Sequence, residues 1–287
     1  MMISASQAKK LITTEVLKLY ERDGYWVSPP VFDAAEVACL IRAHDRLWAG
    51  EHDRPIPSQY GVTPVDPAAK KLRQQCNAFW VNDDIRWAVT HPVIGLIGSR
   101  LMNEPVVKLW HDQAIYKPPV APGDSVAGNN VGWHQDYGYW RASSTTNMCT
   151  AWIALQDTDL RNGGMRTLVG SHRWGTLTDK LDMSFWDQDL SRARERFGDV
   201  VDEPCIIPAG AASFHHALTF HGSGPNRSAE PRRSLVSHMM PGGTRYRAGV
   251  QWHPNLVFLG PDACEGDPFE GAYWPTLWPS KETTNDL

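Results

Sequence analysis

Apolar residues recur at helical spacing over residues 5–22, where Leu11, Val16, Leu17 and Tyr20 share a face, and again over 33–48 through Val37, Leu40, Ile41, Leu47 and Trp48. Between them DGYWVSPP carries a proline pair that ends the pattern, which predicts a short strand at 24–27. A third helical pattern covers 84–101 through Trp87, Val89, Val93 and Leu96. From residue 104 the periodicity changes. EPVVKLWHDQAIYKP, NMCTAWIALQD, MRTLVGS, EPCIIPA, ASFHHALTFH and RSLVSHMMP are short, β-rich runs bounded by Gly, Pro, Asn and Asp. A helical flank over about 1–103 is therefore followed by a sandwich or barrel core over about 104–255.

Residues 177–203 interrupt the β pattern with a charged, helical-looking insertion that also holds Phe185 and Trp186. An apolar pair in a polar segment suits a lid that closes over a site. Residues 256–287 read as irregular and aromatic, fraying into a polar tail. There is no internal repeat.

With 287 residues and 42% hydrophobic content the chain can bury the core of one domain with insertions. Net charge is -4 and the basic residues form no run, which argues against nucleic acid and against an anionic membrane surface as partner. The amino terminus lacks a secretory pattern, and no segment offers about 18 uncharged apolar residues. Five scattered cysteines, never spaced as a pair two apart, indicate neither a disulfide framework nor a zinc knuckle. A cytoplasmic protein with a small-molecule partner is expected.

The chemistry begins at GWHQDYGYW, residues 132–140. In a strand, His134 and Asp136 project to one face and Gln135 to the other, so an imidazole and a carboxylate can meet at one point. The pair alone also describes an ordinary histidine bonded to a nearby aspartate. A metal needs a third ligand, and HGSGPNRSAEPRRS at 221–234 offers His221 before a turn and Arg232 at the start of the next strand. Alternation there places Arg232, Ser234 and Val236 on one face, with Arg233 on the other. Two histidines and a carboxylate leave coordination positions open and suit non-haem Fe(II), and an arginine fork suits a carboxylate. His215 and His216 stand close enough in sequence to compete with His221.

Four motifs together, the entry DGYWVSPPVFDAAEVACL, the WHQD motif, TAWIALQDTDLRNGGMRTLVGSHRWG, and HGSGPNRS followed by PRRS, resemble the phytanoyl-CoA dioxygenase family of Fe(II)/2-oxoglutarate oxygenases along most of the chain. The resemblance implies a mainly β double-stranded β-helix, or jelly-roll, core with flanking N-terminal helices. It implies Fe(II) held by His134, Asp136 and His221, with 2-oxoglutarate and O₂ as co-substrates. It further implies that Arg232 holds the far carboxylate of 2-oxoglutarate with help from Ser223, and that Gln113, Gln135 and Trp152 line the co-substrate pocket. The reaction so implied is oxidation, by default hydroxylation, of a C–H bond in a small metabolite, with release of succinate and CO₂. Asp136 stands where halogenases of this superfamily carry a small residue. Two other readings fit a jelly roll: a non-catalytic sensor that binds metal or ligand, and a redox-silent metal-dependent isomerase. The first needs the pocket but not the Arg232 counter-ion.

Overall fold

The first helical pattern resolves into α1 (Ala5–Leu11) and α2 (Thr14–Asp23), because Thr13 caps the second helix by accepting the Val16 N–H at 3.3 Å. Gly24, at φ 81°, then turns the chain into β1 (Tyr25–Val27). Asp33 and Glu36 form a reciprocal capping box that starts α3 (Ala34–Trp48). The third pattern, expected as one helix, is two: α4 (Asp83–Val89) and α5 (Pro92–Met102). Pro92 disfavours helical geometry at His91 and has no N–H for the preceding turn, so His91 becomes a cap. This computed structural model describes residues 5–58, 71–177 and 190–279.

The remaining strands are β2 (Arg73–Cys76), β3 (Val107–Lys117), β4 (Val131–His134), β5 (Cys149–Ala154), β6 (Met165–Leu168), β7 (Asp202–Pro204), β8 (Ala212–His216), β9 (His221–Ser223), β10 (Arg232–Pro241) and β11 (Thr276–Trp278). They form two antiparallel sheets. The larger runs β1-β8-β5-β10-β3-β11, with β2 also on β3, and the smaller runs β4-β9-β6-β7. Alternation sorts the side chains of the larger sheet. Ala114, Ile153 and Leu235 join the core that includes Leu40, Phe79, Ile85 and Ile97 of the helical flank. Their neighbours Ile115, Trp152 and Val236 turn the other way and pack with Met165 of the smaller sheet. The cavity described below opens between the sheets.

Three further expectations are corrected. The run ASFHHALTFH is not one strand, because the chain leaves the larger sheet after His216 and enters the smaller one at His221. The insertion holds a helix, α6 (Ser191–Phe197), but its last residues pair with β6 as strand, where the Arg166 Nε bonds Asp202 at 2.7 Å. Phe185 and Trp186 lie outside the described residues. The carboxyl-terminal segment contributes β11 to the larger sheet, a three-residue strand too short to carry a readable period. Among the described residues no helix is long and apolar enough to cross a membrane.

Candidate metal centre

His134 ends β4 and His221 begins β9, and the two residues are register partners in the smaller sheet. Asp136 follows on the first residue of the 3₁₀ turn Asp136–Tyr139, whose backbone is pinned by the Tyr137 N–H to Ala217 O at 3.0 Å. The three side chains converge. Their ligand atoms all lie within 4.8 Å of one another, and this is the one such group of three or more among the described residues. Asp136 Oδ1 stands 3.5 Å from His134 Nε2 and 3.6 Å from His221 Nε2. Each histidine is oriented from behind: His134 Nδ1 donates to Gly132 O at 2.8 Å and His221 Nδ1 to Thr219 O at 2.9 Å. With Nδ1 engaged in that way, Nε2 presents its lone pair to the centre.

Asp136 has a second layer that sequence reasoning did not find. Its Oδ2 accepts from Thr150 Oγ1 at 2.6 Å and from His215 Nε2 at 3.3 Å, and Thr150 Oγ1 is also 2.8 Å from His238 Nδ1. Burial by itself would raise the Asp136 carboxyl, but its histidine neighbours His221, His134 and His215 outweigh burial and hold it well below the usual carboxylate range. His215 is thus placed on the carboxylate. His216 turns to the other face, where its Nδ1 accepts the Leu218 N–H. The available signal was strand parity: Thr150 with Trp152, and His238 with Val236, share the inward face in paired register.

Arg232 lies between the sheets, 2% exposed, beside the same cavity as the three convergent residues. Its Nη1 donates to Ser234 Oγ at 2.9 Å, its guanidinium carbon sits 5.0 Å from the Trp152 ring, and its Nε has no partner among the described residues. Burial lowers its pKa to about 9. Arg233, one residue on, faces out and pairs with Asp45 at 2.8 Å. Ser223, Gln113 and Trp152 also line this cavity. Gln135 does not. Its amide donates to Gly175 O and Leu218 O, each at 2.8 Å, and its oxygen accepts the Leu177 N–H at 3.0 Å, so strand alternation has aimed it away from the cavity and its polar atoms tie down the loop before the insertion. A second, wider cavity of about 550 Å³ adjoins the centre through Gln113, His134 and Asp136 and extends to Tyr139, Gln251 and Trp252.

Residues 20–234 match the family model for phytanoyl-CoA dioxygenase. The chain belongs to that family. It is by class an Fe(II)/2-oxoglutarate-dependent dioxygenase, using Fe(II), 2-oxoglutarate and O₂. A probable alpha-ketoglutarate-dependent hypophosphite dioxygenase of Stutzerimonas stutzeri is 31% identical over 134 residues, covering 45% of this chain and 44% of that protein. The ectoine dioxygenase of Stutzerimonas stutzeri (strain A1501) is 25% identical over 78% of this chain and 75% of its own length. In fold the chain resembles the non-haem alpha-ketoglutarate-dependent carbocyclase SnoK from nogalamycin biosynthesis, with a TM-score of 0.71, 23% identity, and coverage of 94% of this chain and 97% of that one. The shared architecture is the jelly roll. The residues found here fit the family's iron and co-substrate, since two free Nε2 atoms and a carboxylate oxygen converge beside a buried guanidinium that lacks an anionic partner among the described residues.

Proposed function

We propose that His134, Asp136 and His221 hold one Fe(II), that Arg232 and Ser223 receive the far carboxylate of 2-oxoglutarate, and that the enzyme hydroxylates a C–H bond of a small metabolite. The observation that carries this reading is the cavity lined jointly by the three convergent ligands and by buried Arg232. Iron bound there, with 2-oxoglutarate and O₂, supplies the oxidation of the C–H bond, with succinate and CO₂ as co-products. The chain's own groups do the rest. Gly132 O and Thr219 O fix the ring planes of the two histidines, while Thr150 and His215 fix Asp136 so that Oδ1 is the oxygen left facing them. Three protein ligands on one side leave open positions for the co-substrate and O₂. Arg232, desolvated between the sheets, offers a carboxylate a charge-assisted bond, and Trp152 with Val236 and Ile115 keeps water from it.

The wider cavity is where a substrate fits. Among its described lining residues Asp136 is the one acidic group and there is no lysine or arginine; glutamines, histidines and the rings of Trp133, Tyr139, Trp140 and Trp252 make up most of the wall. Such a wall suits an uncharged or weakly charged metabolite and offers nothing for a coenzyme A phosphate. All five cysteines are unpaired, which supports action in a reducing cytoplasm. Anaerobic titration with Fe(II) and 2-oxoglutarate tests the proposal: chelation beside this triad gives a weak visible charge-transfer band, and a protein that binds metal without that band is a sensor or a redox-silent isomerase instead.

A further inference from the structure

Lys117, at the end of β3, is fully buried, and it is the direct register partner of Arg232 on β10. Partners opposite one another in an antiparallel pair project to the same face, and like charges in that relation are destabilising. Burial sharpens the cost, because no carboxylate pairs with either cation among the described residues. The lysine is nevertheless placed with care. Its Nζ donates to Ser223 Oγ at 2.6 Å and Gly224 O at 2.6 Å, with Gly163 O at 3.4 Å. The turn that supplies this last carbonyl is shaped around it: Gly163 has φ 75°, and a Cβ there would stand 2.7 Å from Lys117 Cδ.

An ammonium has donors only, so Ser223 Oγ is the acceptor in its contact with Lys117. The Ser223 hydroxyl proton is then left for another acceptor, and Ser223 lines the cavity beside Arg232. Burial first, and then the charge of Arg232, push the Lys117 amine well below its ordinary value. A carboxylate entering the cavity would relieve both cations. We propose that Lys117 is a positioning residue for the far carboxylate of 2-oxoglutarate: it holds Ser223 as a donor toward the cavity and sets a second positive charge beside Arg232. This rests on the co-substrate reading above and adds to it a residue that makes the subsite demand an anion.

The test compares 2-oxoglutarate with 2-oxovalerate, which has a methyl group in place of the far carboxylate. Dissociation constants for both are read anaerobically from the charge-transfer band of the Fe(II)-loaded protein, with iron content and circular dichroism measured in parallel. Lys117→Met is expected to lower the preference for 2-oxoglutarate about ten-fold or more, the scale of a lost charge-assisted bond, while the 2-oxovalerate constant and iron content stay unchanged. An unchanged preference, or an equal loss for both acids, overturns the proposal, since a purely structural lysine gives one of those two results. If Lys117→Met does not fold, Lys117→Gln, which removes the charge but keeps a donor for the neighbouring carbonyls, is read in the same way: a reduced preference supports the proposal and an unchanged one overturns it. Arg232→Leu in the same assay separates the levels. If it too leaves the preference intact, the co-substrate reading has failed; if it alone abolishes the preference, only the role of Lys117 has.

Discussion

Thr150 Oγ1 lies 2.6 Å from Asp136 Oδ2, so a hydroxyl near the start of a buried strand decides which oxygen of the carboxylate faces His134 and His221. Thr150→Val keeps the shape and removes that bond. Outer-layer partners of metal ligands typically account for 10–100-fold in affinity, and a loss of roughly that size in Fe(II) binding is expected, with Thr150→Ser recovering most of it. Competition with a calibrated metal indicator measures it. Unchanged iron affinity in a folded Thr150→Val protein refutes the role.

His221 and His215 are separated by the same logic. Both approach Asp136, but His221 meets Oδ1 at 3.6 Å and His215 meets Oδ2 at 3.3 Å, on the side already occupied by Thr150. His221→Ala is expected to abolish stoichiometric iron binding and succinate formation. His215→Ala should retain iron with affinity reduced by about ten-fold or so, as for other outer-layer groups. Metal analysis after gel filtration decides, and the reverse pattern would make His215 the ligand.

How much of this was legible follows from how local each signal is. His134, His221 and Arg232 each sit at a strand end beside a turn and Asp136 opens the turn after β4, while period-two alternation alone puts Arg232 inward and Arg233 outward, as the Asp45 pair of Arg233 shows. The same alternation in QAIYK marks Lys117 as inward with Gln113 and Ile115, yet a lysine at a strand end ordinarily reads as solvated, so its burial was missed. Strand parity turns Thr150 and His238 inward, but these two and His215 reach Asp136 through contacts between strands distant in sequence, and parity does not reveal that partner. Gln135 was placed in the pocket by resemblance, and its strand parity and the carbonyls of Gly175 and Leu218 took it elsewhere. The break at His91 was written in Pro92, but the apolar spacing runs through it.

The two neighbouring arginines give a paired prediction. Arg232→Leu strands the incoming carboxylate without its counter-charge and should weaken 2-oxoglutarate binding by two orders of magnitude or so, with Arg232→Lys intermediate because the planar fork is lost. Iron binding should persist in both. Arg233→Leu removes a surface pair with Asp45, a change of roughly 0–1 kcal/mol in stability, and should leave the 2-oxoglutarate constant alone. Isothermal titration with Mn(II)-loaded protein reads all three without turnover, and an effect confined to Arg233→Leu would mean the register is shifted by one.

Asp112 sets a pH dependence of stability away from the metal centre. It is fully buried on β3, and both its oxygens are 3.3 Å from the Phe79 N–H. Burial raises its pKa to about 8, against the smaller opposing effect of the Phe79 bond. The unfolded chain ionises this group near pH ~4, whereas the folded protein keeps its proton until about 8, so the unfolded state binds fewer protons throughout that window. Stability contributed by the protonated carboxyl is complete below the unfolded pKa and declines as pH rises toward 8, by at most about 1.4 kcal/mol per pH unit. Asp112→Asn cannot ionise and should not share the decline. Urea unfolding of both proteins from pH 5 to 9 should therefore show the variant gaining on the wild type as pH increases and the gain levelling off above about 8. A difference that stays constant over the whole range would mean that Asp112 is already ionised in the folded protein at pH 5, and that Phe79 and the neighbouring backbone dipoles outweigh its burial.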